Sequence, residues 1–102
     1  MGSERRRYPR LLIPLEGTWT GASGAAVCRI SDISWGGCFI QTKAEPRIGE
    51  RTEVTVSVGG QKVCVAGTVV HLDKPMGFSV QFDELSSEQL EALKPLLGAG
   101  PA

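Results

Sequence analysis

Glu53-Val54-Thr55-Val56-Ser57-Val58-Gly59-Gly60-Gln61-Lys62-Val63-Cys64-Val65 is the stretch that decides the architecture. Val54, Val56 and Val58 alternate with Glu53, Thr55 and Ser57. That is the period of two of a strand with one face buried and one in solvent. Gly59-Gly60 follows, and both central positions of a primed hairpin turn need positive φ. Val63, Val65 and Val69 carry the return strand, with Gly67 expected at a bulge.

The same alternation continues on both sides. Leu11, Ile13 and Leu15 alternate with Leu12, Pro14 and Glu16 and run on through Thr18-Trp19-Thr20. Pro14 marks an edge or a bulge in that strand. Ala25 to Ile33 reads as a second strand and Cys38-Phe39-Ile40-Gln41-Thr42 as a third. Near the end, Phe78, Val80 and Phe82 alternate with Ser79 and Gln81. Six short strands, with turns every ten residues or so, predict an all-β fold: a closed or nearly closed six-stranded antiparallel barrel.

The period changes after Phe82. In Leu85-Ser86-Ser87-Glu88-Gln89-Leu90, Ser86 and Gln89 form a capping box, and Leu85 and Leu90 sit at hydrophobic-staple positions. Leu90, Leu93 and Leu97 line one face of the resulting C-terminal α-helix. A lid on the barrel is preferred to a partner-binding helix. Pro95 is expected to kink or end it early.

Composition narrows the function. The 102 residues suit one domain, and 11 Lys plus Arg balance 11 Asp plus Glu. The balance hides an asymmetry. Arg5, Arg6, Arg7 and Arg10 crowd the start, opposed there only by Glu4, whereas Asp73, Asp83, Glu84, Glu88 and Glu91 dominate the last third. A globally basic nucleic-acid binder is disfavoured, and a local anion site is favoured. Arginine in particular suits bidentate recognition of phosphate or a guanine edge. Cys28, Cys38 and Cys64 are odd in number and form no CxxC pair, so they read as small buried thiols of a reduced, cytoplasmic protein. No signal peptide and no apolar run of membrane-spanning length is read. His71 ends a strand pattern and has no triad or metal partner in view. The acidic run Asp83, Glu84, Glu88 and Glu91 suits a helix N-terminus. No Walker, Rossmann or zinc pattern occurs, so no catalytic residue, metal or cofactor is expected.

Two short motifs carry the chemistry. Glu4-Arg5-Arg6-Arg7-Tyr8-Pro9-Arg10 concentrates guanidinium groups on a segment with nothing apolar enough for a core. Asp32-Ile33-Ser34-Trp35-Gly36-Gly37 sets a carboxylate, a hydroxyl and flexible backbone within six positions. Alone, the first reads as a solvated tail and the second as an ordinary turn. Together they describe a site for a phosphate-bearing ligand with a hydrogen-bonding base edge.

Arg6-x-x-x-Arg10 followed by Asp32-x-Ser34-x-x-Gly37 resembles the paired signature of PilZ domains, bacterial receptors for cyclic di-GMP. The resemblance spans Glu4 to about Leu97 and includes the barrel, the Gly77–Phe82 strand and the terminal helix. It implies that Arg6 and Arg10 chelate phosphate, reach the guanine O6/N7 edge and lie against its ring. Asp32 would accept the guanine N1 and N2 hydrogens, Ser34 would bond beside it, and Gly37 would let the backbone approach the base. Arg5, directly before the first motif arginine, implies an intercalated ligand dimer, two molecules per site. Arg7, Tyr8, Trp35 and Gly36 are accessory candidates, with Trp35 expected in an exposed turn. The implied organisation is a flexible arm over 1–10, a barrel with its helix over 11–97 and a tail over 98–102. The implied function is cyclic di-GMP reception, relayed to an unidentified downstream effector protein by ordering of the arm. The alternative is a degenerate PilZ-type adaptor that binds no nucleotide. An RNA-binding barrel would want more aromatics on one face than Trp19, Trp35 and Tyr8. Membrane and nucleic acid are not expected partners.

Overall fold

The computed structural model describes residues 15–98. Six strands form a closed antiparallel barrel: β1 (Leu15–Gly21), β2 (Gly24–Ile33), β3 (Gly37–Gln41), β4 (Arg51–Val58), β5 (Gln61–Asp73) and β6 (Gly77–Phe82). They neighbour one another in the order β1-β2-β3-β6-β5-β4, and β1 also pairs with β4 to close the wall. One helix, α1 (Ser87–Leu97), follows. Closure removes the exposed strand edges that would otherwise template pairing with another chain.

The β4–β5 hairpin is built as its sequence predicts. Val58 pairs with Gln61, and Gly59 and Gly60 have φ of +58° and +82°, a conformation that residues with a Cβ rarely adopt. Val54, Val56, Val58, Val63, Val65 and Val69 all point inward and are buried. They surround Trp19, Ile30, Ile40, Phe78 and Val80, with Trp19 and Phe78 packed edge-to-face at 5.4 Å between centroids.

Four local expectations are corrected. Cys64 is exposed, because Val63 and Val65 take the inward positions on either side of it, whereas Cys28 and Cys38 are buried. No disulfide joins the three. Gly67 is not a bulge: it pairs in register with Phe82, and a Cβ there would meet the Gln81 carbonyl oxygen at 2.5 Å. The irregularity in β5 comes later, between Val69 and His71. His71 therefore lies within β5 rather than at its end. Pro95 lies inside α1, which continues to Leu97. Only Leu96 and Leu97 follow that proline in the helix, and the Gly98 amide donates to the Lys94 carbonyl to close the end. Leu11, Ile13 and Pro14 lie outside the described residues.

α1 starts as expected. The Ser86 hydroxyl accepts from the Gln89 amide at 3.1 Å, and the Gln89 side chain accepts from the Ser86 amide at 2.8 Å. Gln89 also donates to the Cys64 carbonyl at 2.8 Å, tying the first turn to β5. Leu93 is fully buried, with Leu90 and Leu97 packed against the same core. The helix is thus docked on the barrel through its apolar face.

Candidate functional site

The second motif begins with a change of phase in β2. Cys28 and Ile30 point into the core, so strict alternation would bury Asp32 next. Instead Ile30 pairs with Ile40 and Asp32 pairs with Phe39, leaving Ser31 as an extra residue. That bulge turns Asp32 to the outer wall, half-buried, and sends Ile33 into the core. The carboxylate that regular pairing would send into the core stays at the wall instead, with its Oδ1 atom shielded from solvent.

The turn that follows is organised by its own polar groups. The Ser34 amide donates to the Gly37 carbonyl at 2.8 Å, and the Gly36 amide donates to Ser34 Oγ at 3.2 Å. Ser34 Oγ also approaches the Gly37 carbonyl at 3.5 Å. The Gly36 carbonyl accepts from the Phe82 amide at 2.9 Å, fastening the turn to the end of β6. Gly37 has a reason to lack a side chain that its sequence does not announce: a Cβ would meet the Val80 carbonyl oxygen at 2.2 Å. The close approach is made by β6.

Trp35 is the clearest correction at this site. It is expected in an exposed turn, yet it is only 5% exposed and belongs to the core cluster. It lines a hollow of about 270 Å³ with Phe82, Asp83, Glu84, Leu85 and Leu90, at the start of the helical region. Burial of so large an apolar surface outweighs exposure of the turn backbone around it.

β1 begins at the same end of the barrel. Leu15, the first residue of β1, pairs with Ile30, two positions before Asp32. Arg10 precedes Leu15 by five residues in the sequence. Arg5, Arg6, Arg7, Tyr8 and Arg10 all lie outside the described residues.

Two carboxylates outside the motif are held by specific partners. Asp83 is engaged by Arg51 through paired guanidinium bonds, Nη1 to Oδ1 at 2.9 Å and Nη2 to Oδ2. The Arg51 hydrogen bonds hold the Asp83 carboxyl below its ordinary range. Asp83 is therefore a partner of β4 rather than a helix-dipole residue, and only Glu88 lies in the first turn of α1. Glu50 accepts from the Ser23 amide (2.9 Å), the Ser23 hydroxyl (2.8 Å) and the Arg47 amide (3.0 Å). Those bonds, led by the Ser23 amide, lower its pKa as well. The β1–β2 turn and the β3–β4 loop are clasped by that single carboxylate, a link between segments 27 residues apart that no motif signals.

A wider hollow, about 660 Å³ between Gln61–Cys64 and α1, contains none of the motif residues. Among the described residues no His/Cys/Asp/Glu cluster could hold a metal ion, and no helix is long and apolar enough to cross a membrane.

Comparison with known proteins bears on this arrangement. The family model described as "PilZ domain" matches residues 4–99, both motifs included. Among solved structures, the crystal structure of the PilZ domain of CeSA from a cellulose synthesizing bacterium is similar in fold. Its TM-score is 0.71 at 13% sequence identity, with 87% of this chain and 94% of that one covered. A comparison with curated proteins finds no match. The family model covers nearly the whole chain and the barrel with its C-terminal helix is similar in fold to a solved PilZ domain, so this chain belongs to the PilZ family.

Proposed function

We propose that this protein is a receptor for cyclic di-GMP, with no catalytic activity of its own, acting in the cytoplasm on an effector protein. The observation that carries the reading is the outward Asp32, turned from the core by the β2 bulge beside the Ser34–Gly37 turn. In a family whose members generally bind this nucleotide, a carboxylate so placed can accept the guanine N1 and N2 hydrogens. Arg6 and Arg10, carried on the chain that leads into β1, neutralise the phosphates and lie against the bases. Ser34 bonds beside Asp32, through whichever lone pair or proton its turn leaves available. Arg5 adds the charge that a second, intercalated ligand molecule needs. Charge-assisted bonds contribute about 1.5–3 kcal/mol each where water is excluded. A few of them, after ordering costs, give about micromolar affinity.

The relay follows from charge. Arg5, Arg6, Arg7 and Arg10 repel one another until ligand phosphates offset them. Binding then orders the arm across the Asp32 end of the barrel and changes the surface offered to the effector. Calorimetric titration with cyclic di-GMP tests the reading, beside an Arg6→Ala/Arg10→Ala variant. Saturable binding, lost in the variant, is the expected result, with about two ligands per chain if Arg5 acts as proposed. No binding by the intact protein would leave a PilZ barrel that works through protein contacts alone.

A further inference from the structure

The motif supplies one edge of a binding face, and the barrel wall continues it. Asp32 on β2 pairs with Phe39 on β3, Phe39 with Ser79 on β6, and Ser79 with His71 on β5. These four positions form one row across the outer wall. Cys38, Ile40, Phe78 and Val80 point inward, so Phe39 and Ser79 stand outward between them. Both ends of the row depend on a bulge. Ser31 is the extra residue that turns Asp32 out, and Val70 is the extra residue that does the same for His71. Continued alternation from Val65, Gly67 and Val69 would have buried that histidine. Two separate irregularities thus deliver hydrogen-bonding side chains to the two ends of one row, with an aromatic ring inside it. Phe39 is the outward-facing aromatic of the barrel wall among the described residues.

We propose that this row is the floor of the nucleotide site: a guanine stacks on Phe39, and the His71 imidazole hydrogen-bonds the far side of the ligand. Neighbouring strands lie about 4.8 Å apart, so three steps carry the floor about 14 Å from Asp32, wider than a single purine and suited to a dinucleotide. An aromatic platform attracts a base through its π-face, whereas a purely polar wall would leave the base hydrated. The assignment deepens the receptor reading and rests on it.

The test is calorimetry with cyclic di-GMP on the intact chain, Phe39→Leu, His71→Ala and Arg10→Ala, with NMR of the His71 ring. His71 is the only histidine, so its imidazole signal needs no assignment by mutation. Phe39→Leu keeps an apolar side chain and removes the π-face; it should weaken binding about tenfold, and His71→Ala about fivefold, with unchanged thermal midpoints. The His71 ring signal should shift on saturation. If both variants bind like the intact chain and the ring signal stays fixed while Arg10→Ala loses binding, the receptor reading stands and the floor is overturned. If the intact chain does not bind, the receptor reading fails and the floor fails with it.

Discussion

Asp32 and Gly37 belong to one motif, yet they answer to different forces. Asp32 stands half-buried at the outer wall, and under the proposed receptor reading its replacement should be felt by the ligand. Asp32→Asn keeps the shape and removes the charge; it should weaken cyclic di-GMP binding at least tenfold in calorimetry, with the denaturation midpoint unchanged. Gly37 answers to packing, because the Val80 carbonyl occupies the place of a Cβ. Gly37→Ala should therefore lower stability by about 1–3 kcal/mol in urea denaturation without any ligand present. Trp35 is a core residue inside the second motif. Trp35→Ala should cost about 3–5 kcal/mol in the same assay, an effect out of reach for an exposed turn residue.

At the scale of elements, irregularities and clasps set the geometry. The β2 bulge decides which side of the wall receives the motif carboxylate, and the Glu50 clasp holds the β1–β2 turn against the β3–β4 loop. The latter has a pH signature. The folded-state pKa values of Glu50 and Asp83 are both depressed, so these groups bind a proton more weakly in the folded chain than in the unfolded one. Their contribution is therefore present at neutral pH and is lost as pH falls through the carboxylate range, below about 4. Glu50→Gln should be less stable at neutral pH and should lose less stability on acidification, read as urea midpoints from about pH 6 to about pH 3. The helix cap is simpler. Ser86→Ala removes the acceptor for the Gln89 amide and should cost about 1 kcal/mol.

For the whole molecule, the relevant fact is that the start of β1, the motif turn and the start of the helical region gather at one end of the barrel. Leu15 opposes Ile30, the Gly36 carbonyl accepts from Phe82, and Trp35 lines one hollow with Leu85 and Leu90. Ligand drawn onto that end should order the arginine-bearing segment. Amide exchange over residues 1–10 should slow on adding cyclic di-GMP while exchange in β4 and β5 is unchanged. Equal exchange with and without ligand would sink the proposed relay.

Local sequence determined the elements of this protein. Alternation through Val54–Val58, the Gly59-Gly60 turn and the Ser86–Gln89 capping box each rest on neighbours in the chain, whose spacing is visible in the sequence. The paired motifs were legible for the same reason, and they pointed to the family that the family model matches. Tertiary structure alone decided where the side chains beyond each bulge face. The bulges at Ser31 and Val70 arise from register against β3 and β6, so the outward turn of Asp32 and His71 could not be counted from their own strands. The burial of Trp35, the exposure of Cys64, the Arg51–Asp83 pair and the carbonyl that holds Gly37 to glycine likewise depend on partners distant in sequence. Period and turn chemistry are local properties of a chain, whereas register and burial are set only when the barrel closes.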